Sequence, residues 1–396
     1  MTSSTSSSSS WLALGLALAM LGGCAHTGRA PATPVRAKLA LFPIENLTGG
    51  GAQTGQLLTA LETALRARGI DIVGGDILER FLARHRVRYT GGIVSGVAAA
   101  ARDELGVEGV LLTSVELYSA ARPPKLALTI RLVSAAEEPQ ILWVDGASRS
   151  GDESPGLLGM GLVGSLEEVQ SQVLSGLAGS LVAFLDGQRG QAGRCQVERR
   201  FKPRIAFRAP LLDENERRSV AVLPFINESP RRSAGEVLAL HFLRQLAASG
   251  AFAVVDPGDI RQELVEHRIT MEGGVSLDTA RVIFETLRAD FVLAGVVREY
   301  EDRTSSVGTI KVSFTAVMID RAKNEIVWSS TSTADGSNGV WFFGAGTVAT
   351  ASALACRMVS TVVDGMIGKS SRGARGTPAN LAPAVAMGAC DIENIQ

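Results

Sequence analysis

The sequence predicts an α/β protein that consists of two tandem repeats of one mixed-sheet domain. Three observations lead to this prediction. A chain of 396 residues is too long for one ordinary domain and suits two. Several motifs occur twice, in the same order. Each copy alternates between segments with the apolar periodicity of strands and segments with that of helices, which is typical of α/β folds.

The duplication is visible in several pairs of motifs. Leu39–Asn46 (LALFPIEN) recurs as Val220–Asn227 (VAVLPFIN). The other pairs are His85-Arg86 with His267-Arg268, each followed by a Gly-Gly pair, Val110–Tyr118 with Val292–Tyr300, and Trp143 with Trp328. Since the distance between partners stays nearly constant along the chain, we infer one duplication followed by small insertions. We expect each repeat to fold as a unit of its own.

The elements of each repeat follow in the order β-α-β-α-α-β-β-β-α. A β-branched strand opens each copy and ends at a proline, which cannot donate a ladder hydrogen bond. An amphipathic helix and a short strand come next, and two helices flank the Gly-Gly turn. A buried strand, a two-stranded meander and a last helix complete the copy. The predicted strands and flanking helices lie at 38–44, 55–68, 70–73, 109–118, 125–133, 140–147 and 166–185, and at 219–225, 235–249, 252–255, 291–300, 309–319, 326–332 and 348–367.

These elements divide the chain into six segments. They are a lipoprotein signal peptide (1–23), a tether (24–37), the first α/β repeat (38–190), a basic linker (191–218), the second α/β repeat (219–369) and a flexible tail (370–396). The arginines and prolines of the linker indicate a solvated connection, with a contact to anionic lipid or peptidoglycan as the alternative. The tail is rich in Gly, Ala and Pro, so we expect partial order at most.

The first 24 residues resemble a bacterial lipoprotein precursor. The apolar run Trp11–Leu21 is too short to span a bilayer and fits the core of a signal peptide. Leu21-Gly22-Gly23-Cys24 then resembles a lipobox, which implies that Cys24 carries a lipid anchor. Ala25 after the cysteine implies sorting to the outer membrane, with the domains in the periplasm. The segment before the apolar run lacks Lys and Arg, unlike the usual pattern, so ordinary cleavage near Ala25 or an uncleaved anchor are the alternatives.

The second repeat also resembles a known periplasmic domain. Its opening motif and the strand Arg288–Gly295, followed by Tyr300, carry the resemblance. The domain is shared by the curli-secretion lipoproteins, the penicillin-binding-protein activator lipoproteins and the amino-terminal domain of the Tol propeller protein. The resemblance implies the fold, and it is looser in the first repeat, where the corresponding strand begins at Val107.

The composition and motifs predict no enzyme and no cofactor. A net charge of −1 gives no basic field to attract nucleic acid, and the histidines and cysteines show no metal-ligand spacing. Gly159–Gly164 has the form G-x-G-x-x-G, but it does not join a strand directly to a helix, so we interpret it as a turn. His85 and His267 each follow a helix, which favours capping or packing. We therefore predict no catalytic, cofactor-binding or metal-binding residues.

Two further hypotheses concern individual side chains. Cys195 and Cys390 each follow a repeat in a polar stretch, and we predict that they form a disulfide while Cys356 stays reduced as a small apolar residue. The loop residues Trp341, Phe342 and Phe343 are three consecutive bulky apolar side chains, more than a Gly-rich turn requires. They indicate either a contact site for a partner or membrane, or burial against the neighbouring domain.

The sequence as a whole favours a non-catalytic cell-envelope lipoprotein that binds a protein partner, as a scaffold or activator in envelope biogenesis or export. Its expected partners are the membrane, through the Cys24 lipid, and an envelope protein, with self-association left open. The alternative is a structural subunit of an oligomeric outer-membrane secretion channel of the curli-secretion type. That family inserts long amphipathic hairpins, for which the meanders leave no spare length.

Overall fold

The computed structural model describes residues 37–153, 161–188, 193–195, 201–213, 217–269, 277–302, 309–336 and 348–368. Within these ranges, no helix combines the length and the apolar character needed to cross a membrane. The described residues belong to one compact unit of the chain.

The first repeat forms a mixed sheet of six strands. They are β1 (Lys38–Leu41), β2 (Glu45–Asn46), β3 (Asp71–Val73), β4 (Gly109–Ser119), β5 (Lys125–Ser134) and β6 (Ile141–Ser150). Their order is β3-β1-β4-β5-β6, with β2 paired to β4. The strands β3, β1 and β4 run parallel, whereas β4, β5 and β6 form the predicted antiparallel meander.

Two pairs of helices cover this first sheet. They are α1 (Thr54–Arg66) with α4 (Leu166–Leu185), and α2 (Gly75–Arg84) with α3 (Ser95–Leu105). The first pair packs on one face, where α1 contributes Leu57, Leu61 and Leu65 at the spacing of one helical face. The second pair covers part of the other face, around Phe42 and Phe81. The strands β5 and β6 therefore keep one face that no helix of their own repeat covers.

The second repeat has the same arrangement with one additional strand. Its elements are β7 (Arg204–Arg208), β8 (Arg218–Val222), β9 (Ile226–Asn227), α5 (Ala234–Ser249), β10 (Phe252–Val254), α6 (Pro257–Glu266), α7 (Leu277–Leu287), β11 (Phe291–Glu301), β12 (Lys311–Asp320), β13 (Glu325–Asp335) and α8 (Ala351–Met366). The strand order is β10-β8-β11-β12-β13-β7, with β9 paired to β11. This confirms the predicted fold class.

The two repeats agree in irregular features as well as in topology. The first long strand of each meander has a bulge at the same place, between Val115 and Leu117 in β4 and between Val297 and Glu299 in β11. Trp143 and Trp328 both pair immediately beside a second bulge. Since bulges are specific features of a strand pair, their recurrence indicates common descent of the two repeats.

Strand β7 lies in the segment that we predicted to be a linker. It pairs antiparallel with β13, so this part of the linker extends the second sheet. The prediction missed it because the arginines of the segment mask the alternation of Ile205 and Phe207. An edge strand is also exposed on one side, so its sequence needs no continuous apolar pattern.

Helix α5 lies between the two repeats and is buried almost all round. Phe242 and Leu246 belong to the core of its own repeat. On the other side, α5 contacts β6 of the first repeat. His241, Arg244 and Gln245 are buried at this contact. The uncovered face of the first sheet is thus closed by the second repeat.

The cysteines correct the predicted pairing. Cys195 forms a disulfide with Cys356, and their Cα atoms are 5.9 Å apart. Cys356 lies on the side of α8 that meets the first repeat, which brings it next to the chain that leaves α4. The prediction of a Cys195–Cys390 bond with a reduced Cys356 was therefore wrong. Cys390 lies outside the described residues.

The disulfide gives a first prediction. A digest of the exported protein without reductant should yield one linked peptide containing Cys195 and Cys356. Replacing Cys356 with Ser should lower the free energy of unfolding by about 2–5 kcal/mol, because the cross-link restricts the unfolded chain. Cys390→Ser is the matched control and should leave the linkage intact. A linked peptide containing Cys390 would contradict the assignment.

Candidate functional site

The contact between the repeats contains an unusual number of buried charged side chains. The residues concerned are Glu116, Arg131, His241, Arg244 and Asp256. Burying a charge is costly unless it is paired or hydrogen-bonded. Each of these groups faces an oppositely charged or ionisable group of the other repeat, so every buried charge in this set has a counterpart across the contact.

Arg131 and Asp256 form the most deeply buried of these pairs. Nε of Arg131 lies 3.6 Å from Oδ2 of Asp256, and both side chains are fully shielded from solvent. Asp256 caps α6 by accepting the backbone N–H of Gly258, and it also accepts that of Ile93 in the first repeat, both at 2.8 Å. Burial raises the pKa of the Asp256 carboxyl, and the Arg131 guanidinium opposes this increase only in part.

Two glycines allow this close approach, Gly92 of the Gly-Gly motif in the first repeat and Gly258 at the start of α6. A Cβ atom at Gly92 would collide with the backbone of Gly258, and one at Gly258 would collide with Ile93. Arg131 also donates a hydrogen bond to the carbonyl oxygen of Gly91. The motif therefore brings the backbones of the two repeats together, which goes beyond the simple turn that the sequence indicated.

A second polar cluster is centred on Glu116, the bulged residue of β4. Its carboxylate accepts hydrogen bonds from Thr129 at 2.5 Å and from Ser352 of the second repeat at 2.7 Å. Nε2 of His241 lies 3.4 Å from the same carboxylate. Arg231 donates to the carbonyl oxygen of Glu116. Burial lowers the pKa of His241, although the Glu116 carboxylate acts in the opposite direction.

A third pair lies at the edge of the first sheet, next to the disulfide. Nη2 of Arg244 lies 3.0 Å from Oδ1 of Asp145. Ser180 donates to the other carboxylate oxygen of Asp145 at 2.6 Å. Nη1 of Arg244 approaches the sulfur of Cys356 at 3.4 Å. The covalent link and the ion pair thus hold the same edge of the contact.

A cavity of about 470 Å³ opens beside these buried charges, with walls from both repeats. Its lining is mainly apolar, with Leu47 from the first repeat and Leu240 and Leu264 from the second. The ring of Tyr89 stacks under the guanidinium of Arg261, with the Cζ atom 4.6 Å from the ring centroid. Both residues also line a neighbouring hollow of about 300 Å³. This stacked pair therefore forms a wall shared by the two spaces.

Ionisable side chains of both signs provide the polar side of the cavity, namely Glu45, Glu236, Arg261 and Arg268. Glu45 begins β2 and accepts a hydrogen bond from Ser114 at 2.7 Å. Burial raises the pKa of Glu45, an effect that the Ser114 hydroxyl reduces, and Glu236 contributes further negative charge. An apolar wall with carboxylates and guanidinium groups is suited to an apolar group that carries polar side groups, and a hydrogen-bond donor or a positive charge would fit beside Glu45 and Glu236. Among its described lining residues, the cavity contains no nucleophile placed next to a base.

The residues singled out from the sequence have different outcomes. The lipid-anchor cysteine Cys24 and the aromatic residues Trp341, Phe342 and Phe343 lie outside the described residues. His85 and His267 occupy the C-terminal cap positions of α2 and α6, as the packing interpretation predicts. No group of His, Cys, Asp or Glu in the described part of the chain is arranged to hold a metal ion.

The sequence interpretation did not find the buried charges or the cavity. Arg131 was detectable in principle, because it interrupts the apolar strand KLALTIRLVS. Asp256 is followed by Pro257, a typical helix start, and this local role hid its second role at the contact. The partners of both residues lie in the other repeat, so no local pattern could reveal them.

Residues 206–333 match the family model described as peptidoglycan-synthase activator LpoB. This segment runs from within β7 to within β13. The match confirms, for the second repeat, the resemblance to penicillin-binding-protein activator lipoproteins. Among curated proteins, none matches the chain by sequence.

Several solved structures are similar to one repeat. The PelC dodecamer from Paraburkholderia phytofirmans is 20% identical, with 42% of this chain and 96% of that chain covered and a TM-score of 0.30. Lipoprotein GNA1162 from Neisseria meningitidis is 22% identical, with 39% and 99% covered and a TM-score of 0.29. The LpoB C-terminal domain from Salmonella enterica is 17% identical, with 30% and 82% covered and a TM-score of 0.24.

The Arg131–Asp256 pair gives a second prediction. Arg131→Met should lower the free energy of unfolding by about 3–5 kcal/mol, because the Asp256 carboxylate then lacks its buried counter-charge. The double variant Arg131→Met, Asp256→Asn should cost less than the sum of the two single variants, as measured by urea unfolding. Arg149→Met is the control, since Arg149 is exposed where it pairs with the half-buried Glu153, and a pair at the surface is worth about 1 kcal/mol or less. Equal costs for Arg131→Met and Arg149→Met would refute the assignment.

His241 gives a third prediction, concerning pH. Its pKa is lowered in the folded protein, so below an unfolded-state pKa of about 6.5 the unfolded chain binds a proton that the folded chain does not. The free energy of unfolding should therefore decrease as the pH falls from 7.5 to 5. Urea unfolding should show a shallower pH dependence for His241→Gln, and an unchanged one for His267→Gln, whose ring is exposed. If the free energy of unfolding depended on pH as steeply in His241→Gln as in the wild type, His241 would not be a buried neutral histidine in the folded protein.

Proposed function

We propose that this protein is a lipid-anchored envelope protein that binds a peptidoglycan synthase and raises its activity. The match of residues 206–333 to the peptidoglycan-synthase activator family carries this proposal. The matched segment begins within β7 and ends within β13, so it includes most of the second sheet but not α8. It also contains α5 and α6, which supply most of the cavity lining.

The amino-terminal segment supports the location that this function requires. The apolar run Trp11–Leu21 and the lipobox ending at Cys24 favour lipid attachment, and Ala25 favours the outer membrane. A multiply acylated cysteine anchors a protein stably, since each buried CH₂ contributes about 0.8 kcal/mol. The tether 24–37 would then carry the repeats into the periplasm, where peptidoglycan synthases work.

The geometry of the cavity between the repeats supports the binding of a partner better than it supports catalysis. The cavity between the repeats offers apolar walls beside the Glu45 and Glu236 carboxylates. We infer that it receives an apolar segment of the synthase that carries a basic side chain. Val265 lies at its rim, is 65% exposed and also lines the neighbouring hollow. The aromatic residues Trp341–Phe343 are proposed as a second contact region.

The test is an activity measurement with the purified lipoprotein in detergent and the peptidoglycan synthases of the same cell. The wild-type protein should increase the rate of glycan polymerisation or cross-linking by one of them. Val265→Arg should weaken the binding of that synthase about tenfold, because it places a cation at an apolar rim beside the basic segment. Its thermal stability should stay nearly unchanged, since the side chain is exposed.

Leu142→Arg is the matched control for this experiment. Leu142 is 45% exposed on β6 and does not line the cavity. This variant should bind and activate like the wild type. The absence of activation with every synthase of the cell would contradict the proposed function. Normal binding by Val265→Arg would contradict the cavity as the binding site.

A further inference from the structure

The contact between the repeats joins two different kinds of surface. On the first repeat, the uncovered face of β5 and β6 takes part, together with the bulged residue Glu116. On the second repeat, the outer sides of α5 and α8 take part. Ser352 donates to Glu116 at 2.7 Å, and the hydroxyls of Ser148 and Thr350 are 2.6 Å apart. A contact between unlike surfaces is heterologous and can be repeated by a further copy.

Because the chain is a duplication, it contains each surface twice, and one copy of each is not used internally. The strand face is the unused sheet surface of the second repeat, defined by Arg298, Thr315, Val317, Thr331 and Thr333. Arg298, Thr331 and Thr333 are exposed, and Thr315 and Val317 are half-buried. The register of β12 and β13 places the last four residues at the positions of Thr129, Arg131, Gly146 and Ser148 in the first repeat.

The helix face is the unused helical surface of the first repeat. It is the outer side of α1 and α4 with the start of α2, defined by Thr63, Gly74, Ser165, Glu167 and Ser171. Thr63, Ser165, Glu167 and Ser171 are exposed, and Gly74 is half-buried. Ser165 caps α4 as Thr350 caps α8, which makes Glu167 the equivalent of Ser352.

We propose that a second copy of this chain docks its helix face on the strand face of the first copy. This contact repeats between chains the arrangement that joins the two repeats within a chain. A second copy is the expected partner because both faces are equivalent to surfaces that already bind each other within the chain. The proposal does not depend on the proposed function.

The charges on the two faces are complementary at the central position. Within the chain, Glu116 meets Ser352. Between chains, the equivalent residues are Arg298, which is the bulged residue of β11, and Glu167. Both are exposed in the single chain. Within the chain, a carboxylate on the strand side faces a hydroxyl on the helix side. Between chains, a guanidinium on the strand side would face a carboxylate on the helix side. The two residues of the pair therefore differ from their counterparts in a matched way.

The second position also changes in a matched way. Asp256 caps α6 as Gly74 caps α2, and Arg131 corresponds to Val317, so a buried ion pair is replaced by two uncharged residues. At this position neither surface then brings in an unpaired charge, which would be costly.

The third position keeps its chemistry. The hydroxyl pair Ser148 and Thr350 corresponds to Thr333 and Ser165, which is again a hydroxyl pair. Near Val317, Phe207 on β7 is 49% exposed and pairs with Ser329, whose side chain points to the strand face. This aromatic side chain adds apolar area that the face would bury on docking.

The first test is sedimentation of the mature lipoprotein in detergent over a concentration series. The wild type should form head-to-tail oligomers, either closed rings or open filaments. Arg298→Glu should weaken self-association about tenfold, because it opposes the Glu167 carboxylate of the next copy. The double variant Arg298→Glu, Glu167→Arg should restore it. Arg321→Glu, at the exposed turn after β12, is the control and should behave like the wild type.

The second test fixes the geometry of the contact. Copies with Arg298→Cys and differently tagged copies with Glu167→Cys, both in a Cys390→Ser background, should form a mixed disulfide when combined under oxidation. Neither copy should cross-link efficiently with itself. A chain that stays monomeric at every concentration would overturn the proposal. Equal self-association of Arg298→Glu and Arg321→Glu, or cross-linking of like copies, would overturn it as well.

Discussion

The structure depends on helix α5 being buried between two sheets. Its Phe242 side belongs to the apolar core of the second repeat, whereas its His241 and Arg244 side meets the first repeat. Charged groups cannot be left in such a place without partners. Glu116 and Asp145 supply them, and the Arg131–Asp256 pair adds a further link. The relative placement of the repeats is therefore specified by charge pairing as well as by apolar area.

Duplication followed by divergence explains how one fold supplies several different surfaces. The second repeat keeps the bulges, caps and turns of the first, but it exchanges the residues that face outward. The cavity illustrates the consequence, because Glu45 and Tyr89 come from one repeat and Arg261 from the other. Neither repeat alone could form it. A single ancestral domain would have had only surface where this chain has a cavity.

The fold could be predicted from the sequence because its signals are local. Pro43 and Pro224 mark strand ends, and the helices show their apolar faces directly. The disulfide, β7 and the buried charges were not predicted, since each depends on a partner far away in the chain. Arg131 shows the limit clearly: an arginine in an apolar strand signals burial, but only the structure shows Asp256 beside it. The expectation that each repeat folds as a unit of its own stays a prediction, to be weighed against the buried charges that the two repeats share.

The most direct test of this account is hydrogen exchange of the intact chain during urea unfolding. If the buried charges make the repeats interdependent, the slowest-exchanging amides of β4 in the first repeat and β11 in the second should report the same free energy of unfolding and the same midpoint. Two separate transitions, with one repeat remaining protected after the other has opened, would contradict the account.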